Sequence, residues 1–308
     1  SMGGSKSYGC AYMLLRRRAD PNLATHDGDT PLFIAAQKGH VDIVALLLSK
    51  NADPNQATYD GDTPLYAAAQ EGHAVVVAKL LGHDADPNKA TTDRTRNTPL
   101  FIASEKGHAK VVSLLIERGA SPGVAVGSDG YTPLYIAAQQ GNVEVVKVLL
   151  GHDANPNRVT HDGVTPLFIA SENGDVEVAS LLLKHNADPN KANGGVNTKR
   201  SGLTPLIIAS EKGHVEVVSL LLEHNADPTI HPPHMKARNM TGSPIIANML
   251  DAAEFLANPD SLESILSFRT NQSERENFWQ AVEAASKHTN TINNVNIIDK
   301  TTIQVKSK

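Results

Sequence analysis

Thr-Pro-Leu, followed by an aromatic residue or Ile, two small or apolar residues and then Gly and usually His, recurs along this chain at close to 33-residue spacing. The unit opens at Thr30, Thr63, Thr98, Thr132, Thr165 and Thr204, at intervals of 33, 35, 34, 33 and 39 residues. A period of that length marks a chain built by stacking one supersecondary unit, in which each repeat contacts only its neighbours. Such a chain offers a long recognition surface rather than a catalytic cavity. Its 308 residues therefore need not divide into the two globular domains that length alone would suggest.

Composition agrees. Apolar residues make up 40% of the chain but aromatics only 4%, so Leu, Val, Ile and Ala must fill thin helical layers. A net charge of -5 argues against general affinity for nucleic acid or anionic membrane, both of which respond to a positive field. The single cysteine, Cys10, allows no internal disulfide and fits a reducing, cytoplasmic setting. No run of 18 apolar residues is present, so no membrane span is expected. The opening Ser1-Met2-Gly3-Gly4-Ser5 reads as an expression scar, and residues 1–7 are expected to be unstructured.

The second full repeat shows how the unit works. Asp60-Gly61-Asp62 is turn material, Thr63 stands where a helix needs an N-cap, and Pro64 at the first helical position gives up an N–H that would have no partner. Leu65, Ala68 and Ala69 then form a small apolar face, and Gly72 can end the helix in the left-handed conformation. Val75, Val76, Val77, Leu80 and Leu81 predict a second helix with a broad apolar face. Before each Ala-Asp-Pro-Asn-like exit stand Asn51, Asp84, Gly119, Asp153, Asn186 and Asn225, the residue types that best tolerate a left-handed backbone. Arg18 is the exception. Pro54, Pro87, Pro122, Pro156, Pro189 and Pro228 then block helix continuation.

These residues resemble the ankyrin repeat over positions 8 to 229. The resemblance implies an all-α fold, an ankyrin-repeat α-solenoid in which each helix-turn-helix is followed by a β-hairpin-like loop. Six full repeats are expected over 23–229. The chain departs from the family where a His usually follows Thr-Pro-Leu: here stand Phe33, Tyr66, Phe101, Tyr135, Phe168 and Ile207, so apolar packing should replace that His.

At the ends the pattern thins. Residues 8–22 look like the second helix and exit of a repeat without its first helix, either a terminal cap or a repeat cut short; Tyr12, Leu14 and Leu15 are expected to cover the next repeat and Arg16, Arg17 and Arg18 to face water. Residues 230–288 read as a loop, a worn repeat opening at Ser243-Pro244-Ile245, and a helical C-terminal cap carrying Trp279. Asp260 with Glu263, and Ser273 with Glu276, have capping-box spacing. Residues 289–308 read as a flexible tail or a weak hairpin.

Thirteen histidines invite a metal hypothesis that their positions oppose. His40, His73, His108 and His214 fill the Gly-His slot, where the resemblance implies a structural hydrogen bond, and His83, His152, His185 and His224 recur near second-helix ends, where protonation would complement the helix dipole. His231 and His234 lack the further ligands of a zinc site. No phosphate loop, nucleophile elbow or His-Glu-x-x-His occurs, and the repeated Asp-Gly pairs are turn residues. No enzyme activity, cofactor or metal is therefore expected.

What remains is the surface. The resemblance implies partner contacts on the concave face and hairpin tips, which carried onto this chain are Tyr59, Asp62, Gln70, Glu71, Arg94, Asn97, Glu105, Lys106, Tyr131, Gln139, Gln140, His161, Glu172, Asn173, Arg200, Leu203, Glu211 and Lys212. The register breaks bring in Arg94 with Arg96, Lys199 with Arg200, and Lys236 with Arg238, a basic fringe that would suit an acidic or phosphorylated protein segment. The expected role is a monomeric protein-binding scaffold or adaptor. Two alternatives stay open: the targeting domain of a larger enzyme or a secreted bacterial effector acting in host cytoplasm, and a substrate of an asparaginyl hydroxylase at Asn22, Asn55, Asn88, Asn157 and Asn190.

Overall fold

Each Thr-Pro-Leu opens a helix by the same local chemistry. The hydroxyls of Thr30, Thr63, Thr98, Thr132, Thr165 and Thr204 accept a hydrogen bond from the backbone N–H three residues on, at 3.0–3.3 Å. All six threonines are buried, so each satisfies an orphan helix donor where water cannot. The computed structural model describes residues 2–194, 201–231, 241–257 and 272–288. Among these it contains fifteen helices and no strand, with a lone antiparallel bridge between Val126 and Tyr131.

The helices are α1 (Met2–Arg16), α2 (Pro31–Gln37), α3 (Val41–Ser49), α4 (Pro64–Gln70), α5 (Ala74–Leu81), α6 (Pro99–Glu105), α7 (Ala109–Glu117), α8 (Pro133–Gln139), α9 (Val143–Gly151), α10 (Pro166–Asn173), α11 (Val176–Lys184), α12 (Pro205–Lys212), α13 (Val215–Glu223), α14 (Pro244–Ala257) and α15 (Gln272–His288). They fall into two compact units: Ser1–Ala170 with Lys184–Ala187, and Ser171–Leu183 with Asp188–Lys308. In the first unit the short inner helices α2, α4, α6 and α8 pack each on the next, as do the outer helices α1, α3, α5, α7 and α9. Each inner helix also packs on the outer helix that follows it.

One leucine from each helix builds the core. Leu32, Leu65, Leu100 and Leu134 on inner helices, and Leu47, Leu80, Leu115 and Leu149 on outer ones, are at most 3% exposed. Truncating such a leucine to Ala costs about 2–5 kcal/mol. The predicted left-handed positions are all left-handed, with φ between 59° and 90° at Asn51, Asp84, Gly119, Asp153, Asn186 and Asn225. Arg18 adopts φ 64° as well, because the exit geometry is set by the repeat and not by the residue that fills it.

Several expectations are corrected. Residues 2–7, expected to be unstructured, lie within α1, where no proline interrupts the backbone ladder. Tyr12 and Leu14, expected to cover the next repeat, are exposed, while Gly9, Ala11 and Leu15 are half-buried. In the second repeat Val75 is 56% exposed, since it stands one residue off the stripe of Val76, Val77 and Leu80.

In the second unit α12 packs on α13, α13 on α14 and α14 on α15. The worn repeat opening keeps its cap in weakened form: the Ile246 N–H donates to the Ser243 hydroxyl at 3.5 Å. Its core register has slipped by one residue. Ile245, which stands where other repeats place their core leucine, is exposed, while Ile246 is fully buried. On α15, Phe278 is buried with Ala252 and Val282 and meets Trp279 edge to face at 5.1 Å. Ser273, expected as an N-cap, lies inside the first turn of α15. Asp260, Glu263, His234, Lys236, Arg238 and the hairpin expected near the C-terminus lie outside the described residues.

Candidate partner-binding surface

The turns that precede the inner helices are closed by a repeated device. The hydroxyls of Thr25, Thr58, Thr91 and Thr160 accept from the N–H groups of Asp29, Asp62, Asn97 and Val164 at 3.0–3.2 Å, while the backbone N–H of each threonine donates to the carbonyl of the same residue at 3.0 Å. Asn193 does the same for Leu203, whose N–H donates to its Oδ1 at 2.8 Å. Successive tips are tied as well: the N–H groups of Tyr59, Thr92 and His161 donate to the carbonyls of Asp27, Asp60 and Asp129. Side chains at these tips are thus carried on fixed backbone.

Within the first unit this framework brings several expected residues together. Asp62 is half-buried, and burial together with the nearby carboxylates of Asp60, Asp93 and Asp29 holds its carboxyl above the ordinary aspartate range. Burial and then the Asp62 charge push the Tyr66 phenol up to about 12, and the Asn97 side chain hydrogen-bonds to that hydroxyl. The inserted loop that contains Arg94 and Arg96 is organised around Asp93, which accepts from the Thr91 and Thr95 hydroxyls at 2.6 and 2.7 Å and from the Arg96 N–H. These bonds hold the Asp93 carboxyl below its usual value. Arg94 and Arg96 are exposed, and Arg96 takes φ 49°.

Tyr131 stacks on Tyr135 with centroids 4.8 Å apart and planes at 4°, so it is a half-buried wall and not a free tip. Burial raises its phenol, as do the charges of Asp129 and Asp162. His161 bridges to the preceding loop, its ring Nδ1 lying 2.6 Å from the Ser128 carbonyl. Tyr59 is the most open aromatic of the row at 78% exposed. Glu71, Lys106 and Gln140 are exposed, and Gln70, Glu105 and Gln139 half-buried.

In the second unit Lys212 pairs with Glu172 at 3.7 Å, and Asn173 is exposed and Glu211 half-buried. Leu203, expected on the binding surface, is 1% exposed and belongs to the core: as the residue that closes its turn it points its backbone, not an exposed side chain, at Asn193. Lys199 and Arg200 lie outside the described residues.

Most histidines are structural. The Nε2 atoms of His73, His108 and His214 lie 3.0–3.1 Å from the carbonyls of Gln37, Gln70 and Glu172 at the end of the preceding inner helix. A carbonyl only accepts, so Nε2 carries the proton. Asn142 fills the same slot and donates to the carbonyls of Ser104 and Glu105. At the outer-helix ends His83, His152 and His224 direct Nδ1 to the carbonyl four residues back at 2.9 Å. Each ring thus caps a carbonyl of the last helical turn through Nδ1–H.

The exit asparagines, named above as hydroxylation sites, are also engaged. Asn22, Asn55, Asn88 and Asn190 each accept a backbone N–H from the next exit turn and donate to a carbonyl there. Among the described residues no group of three or more His, Cys, Asp or Glu is placed to hold a metal ion, and no helix is long and apolar enough to cross a membrane.

Comparison with known proteins agrees with the architecture. The family "Ankyrin repeats (3 copies)" matches residues 2–91, 80–160 and 152–231. The crystal structure of the human ASB11 ankyrin repeat domain is similar, with a TM-score of 0.58 and 26% identity over 70% of this chain and 92% of that one. No curated protein matches the chain.

Proposed function

The chain belongs to the ankyrin-repeat family, whose repeats are protein–protein interaction modules and typically non-catalytic, and from that premise we propose that it binds a protein segment along its turn row and inner helices. The observation that carries the reading is Tyr59, a large aromatic side chain left 78% exposed on a tip whose backbone is tied to its neighbour. Exposed aromatics on rigid supports are the residues that most often anchor an interface. Gln70, Glu71, Arg94, Arg96, Lys106, Gln139, Gln140 and His161 supply polar rim in the same unit.

The partner's charge follows from the surroundings of Asp62. An acidic or phosphorylated segment would use Arg94 and Arg96. The crowded carboxylates of Asp29, Asp60, Asp62 and Asp93 favour instead a segment that brings Lys or Arg, since each cation there relieves repulsion already present. The geometry of the first unit supports this second choice. A monomeric cytoplasmic adaptor and the targeting part of a larger enzyme or of a bacterial effector use the surface identically.

Affinity capture from cell lysate tests the reading, comparing the native chain with Tyr59→Ala and with Asp60→Lys/Asp62→Lys. Loss of the same captured protein in both variants is expected, by tenfold or more for the aromatic. Equal recovery by all three would refute the site, and loss only in an Arg94→Glu/Arg96→Glu variant would restore the acidic partner.

A further inference from the structure

The tip that precedes α8 differs from its counterparts in one chemical respect. Asp-Gly recurs at Asp27-Gly28, Asp60-Gly61, Asp129-Gly130 and Asp162-Gly163. At three of these the glycine N–H is engaged: Gly28, Gly61 and Gly163 donate to the carbonyls of Thr25, Thr58 and Thr160 at 2.9–3.0 Å. Gly130 is buried, yet its N–H donates to no atom among the described residues. The cause is one extra residue in the turn. Val126 stands where the other three tips have threonine, and it pairs with Tyr131, one residue further along than the Thr25–Asp29, Thr58–Asp62 and Thr160–Val164 closures.

A buried peptide N–H without an acceptor is uncommon, and this one adjoins a carboxyl group. Asp129 is exposed, and its carboxylate is held at the tip by the hydroxyls of Ser128, 3.1 Å from Oδ1, and of Tyr131. The His161 ring lies against Gly130, with Nε2 and Cδ2 each 3.0 Å from where a Cβ would stand. Nδ1 of that ring donates to the Ser128 carbonyl at 2.6 Å, so in the neutral ring Nε2 is a proton acceptor beside Gly130. Glycine itself brings no Cβ to hinder attack by its nitrogen.

We propose that Asp129-Gly130 is a self-modification site, at which the backbone nitrogen of Gly130 closes on the Asp129 carboxyl and the segment converts to isoaspartate. In the closing step the bond from nitrogen to Cγ forms. The carboxylic acid gives up OH and the nitrogen gives up H, and the two leave as water. The cyclic imide then takes water back. Opening at Cγ restores aspartate, whereas opening at the main-chain carbonyl leaves the backbone running through Cγ, with no net change in mass or oxidation state. Isoaspartate adds a carbon to the backbone between Val126 and Tyr131, and it turns the Asp129 carbonyl that accepts from the His161 N–H into a free carboxylate. Conversion therefore loosens the tip on which Tyr131 is fixed.

The chemistry needs no partner, so it stands independently of the binding surface. Ageing the full chain at body temperature and neutral pH tests it, with a parallel sample kept unfolded in urea. Isoaspartate at each Asp-Gly pair is counted in proteolytic peptides by enzymatic methylation, and hydroxylamine traps the imide. In the native chain Asp129 should convert about fivefold faster than Asp27, Asp60 and Asp162, since each of those must first break a backbone hydrogen bond. In urea the four should convert at similar rates. Asp129→Asn and Asp60→Asn give a second reading, because Asn closes the same imide with loss of ammonia: deamidation should favour position 129 in the native chain and show no preference in urea. Equal rates at the four pairs in the native chain, faster conversion at any of the other three, or a preference for Asp129 that persists in urea would overturn the proposal.

Discussion

At the scale of single residues, most of what recurs in this chain answers to backbone stereochemistry. The left-handed exits were legible from residue type alone, because Asn, Asp and Gly were placed six times where a helix must turn out of its ladder. Arg18 shows the limit of that reading: it takes the same φ with no help from its side chain. Asp62 shows another. Burial first, and then the adjacent Asp60, raise its carboxyl; the further charges, Asp93 and Asp29, are each about one repeat away in sequence, so their convergence was not visible before stacking. In the folded chain the Asp62 carboxyl binds its proton more tightly than in the unfolded chain. Folding therefore grows easier as pH falls through the carboxylate range, and at neutral pH the ionised group is a cost. Asp62→Asn should raise Tm at neutral pH by a little, on the order of 1–2 °C given its partial exposure, and the gain should vanish below about pH 4. Calorimetry at the two pH values checks this; an equal gain at both would place its cause outside the charge.

At the scale of elements, helices are joined by side chains that satisfy each other's ends. The His108 ring ties the start of α7 to the last carbonyl of α4, and it also fills the space beside Gly72, where a built Cβ would come within 2.6 Å of the ring and where φ is 75°. Asn142 performs the same tie with an amide. That natural substitution sets the expectation for a mutant pair. His108→Asn should cost under about 1 kcal/mol, whereas His108→Ala should cost about 1–3 kcal/mol by leaving the Gln70 carbonyl without its donor. Denaturant titration of both variants decides it, and equal losses would mean that ring packing, not the hydrogen bond, is what the slot requires. Here the sequence carried the slot but not the partner. The C-terminal helices were less legible, since Ile245 mimics a core leucine while the buried position is Ile246; nothing local distinguishes a helix packed on α13 and α15's side from one standing in an inner row.

At the scale of the whole molecule, repetition explains so many residues that the remainder becomes informative. Histidines, turn aspartates and exit asparagines are used up in holding one repeat to the next, and Leu203 moves from the surface to the core. Tyr59, the carboxylates around Asp62 and the exposed helix ends are left over for recognition. Their types could be read in the sequence, but their summed charge could not, because the basic insertions stand out in a linear string while Asp29 and Asp93 join Asp60 and Asp62 only on folding. The central claim is that a protein partner lies along this row in the first unit. Hydrogen–deuterium exchange of the native chain with and without its captured partner tests that most directly. The account predicts added protection at residues 58–62 and 91–97, with no change on outer helices α5 and α7. Protection confined to the outer helices, with the turn row unchanged, would contradict it.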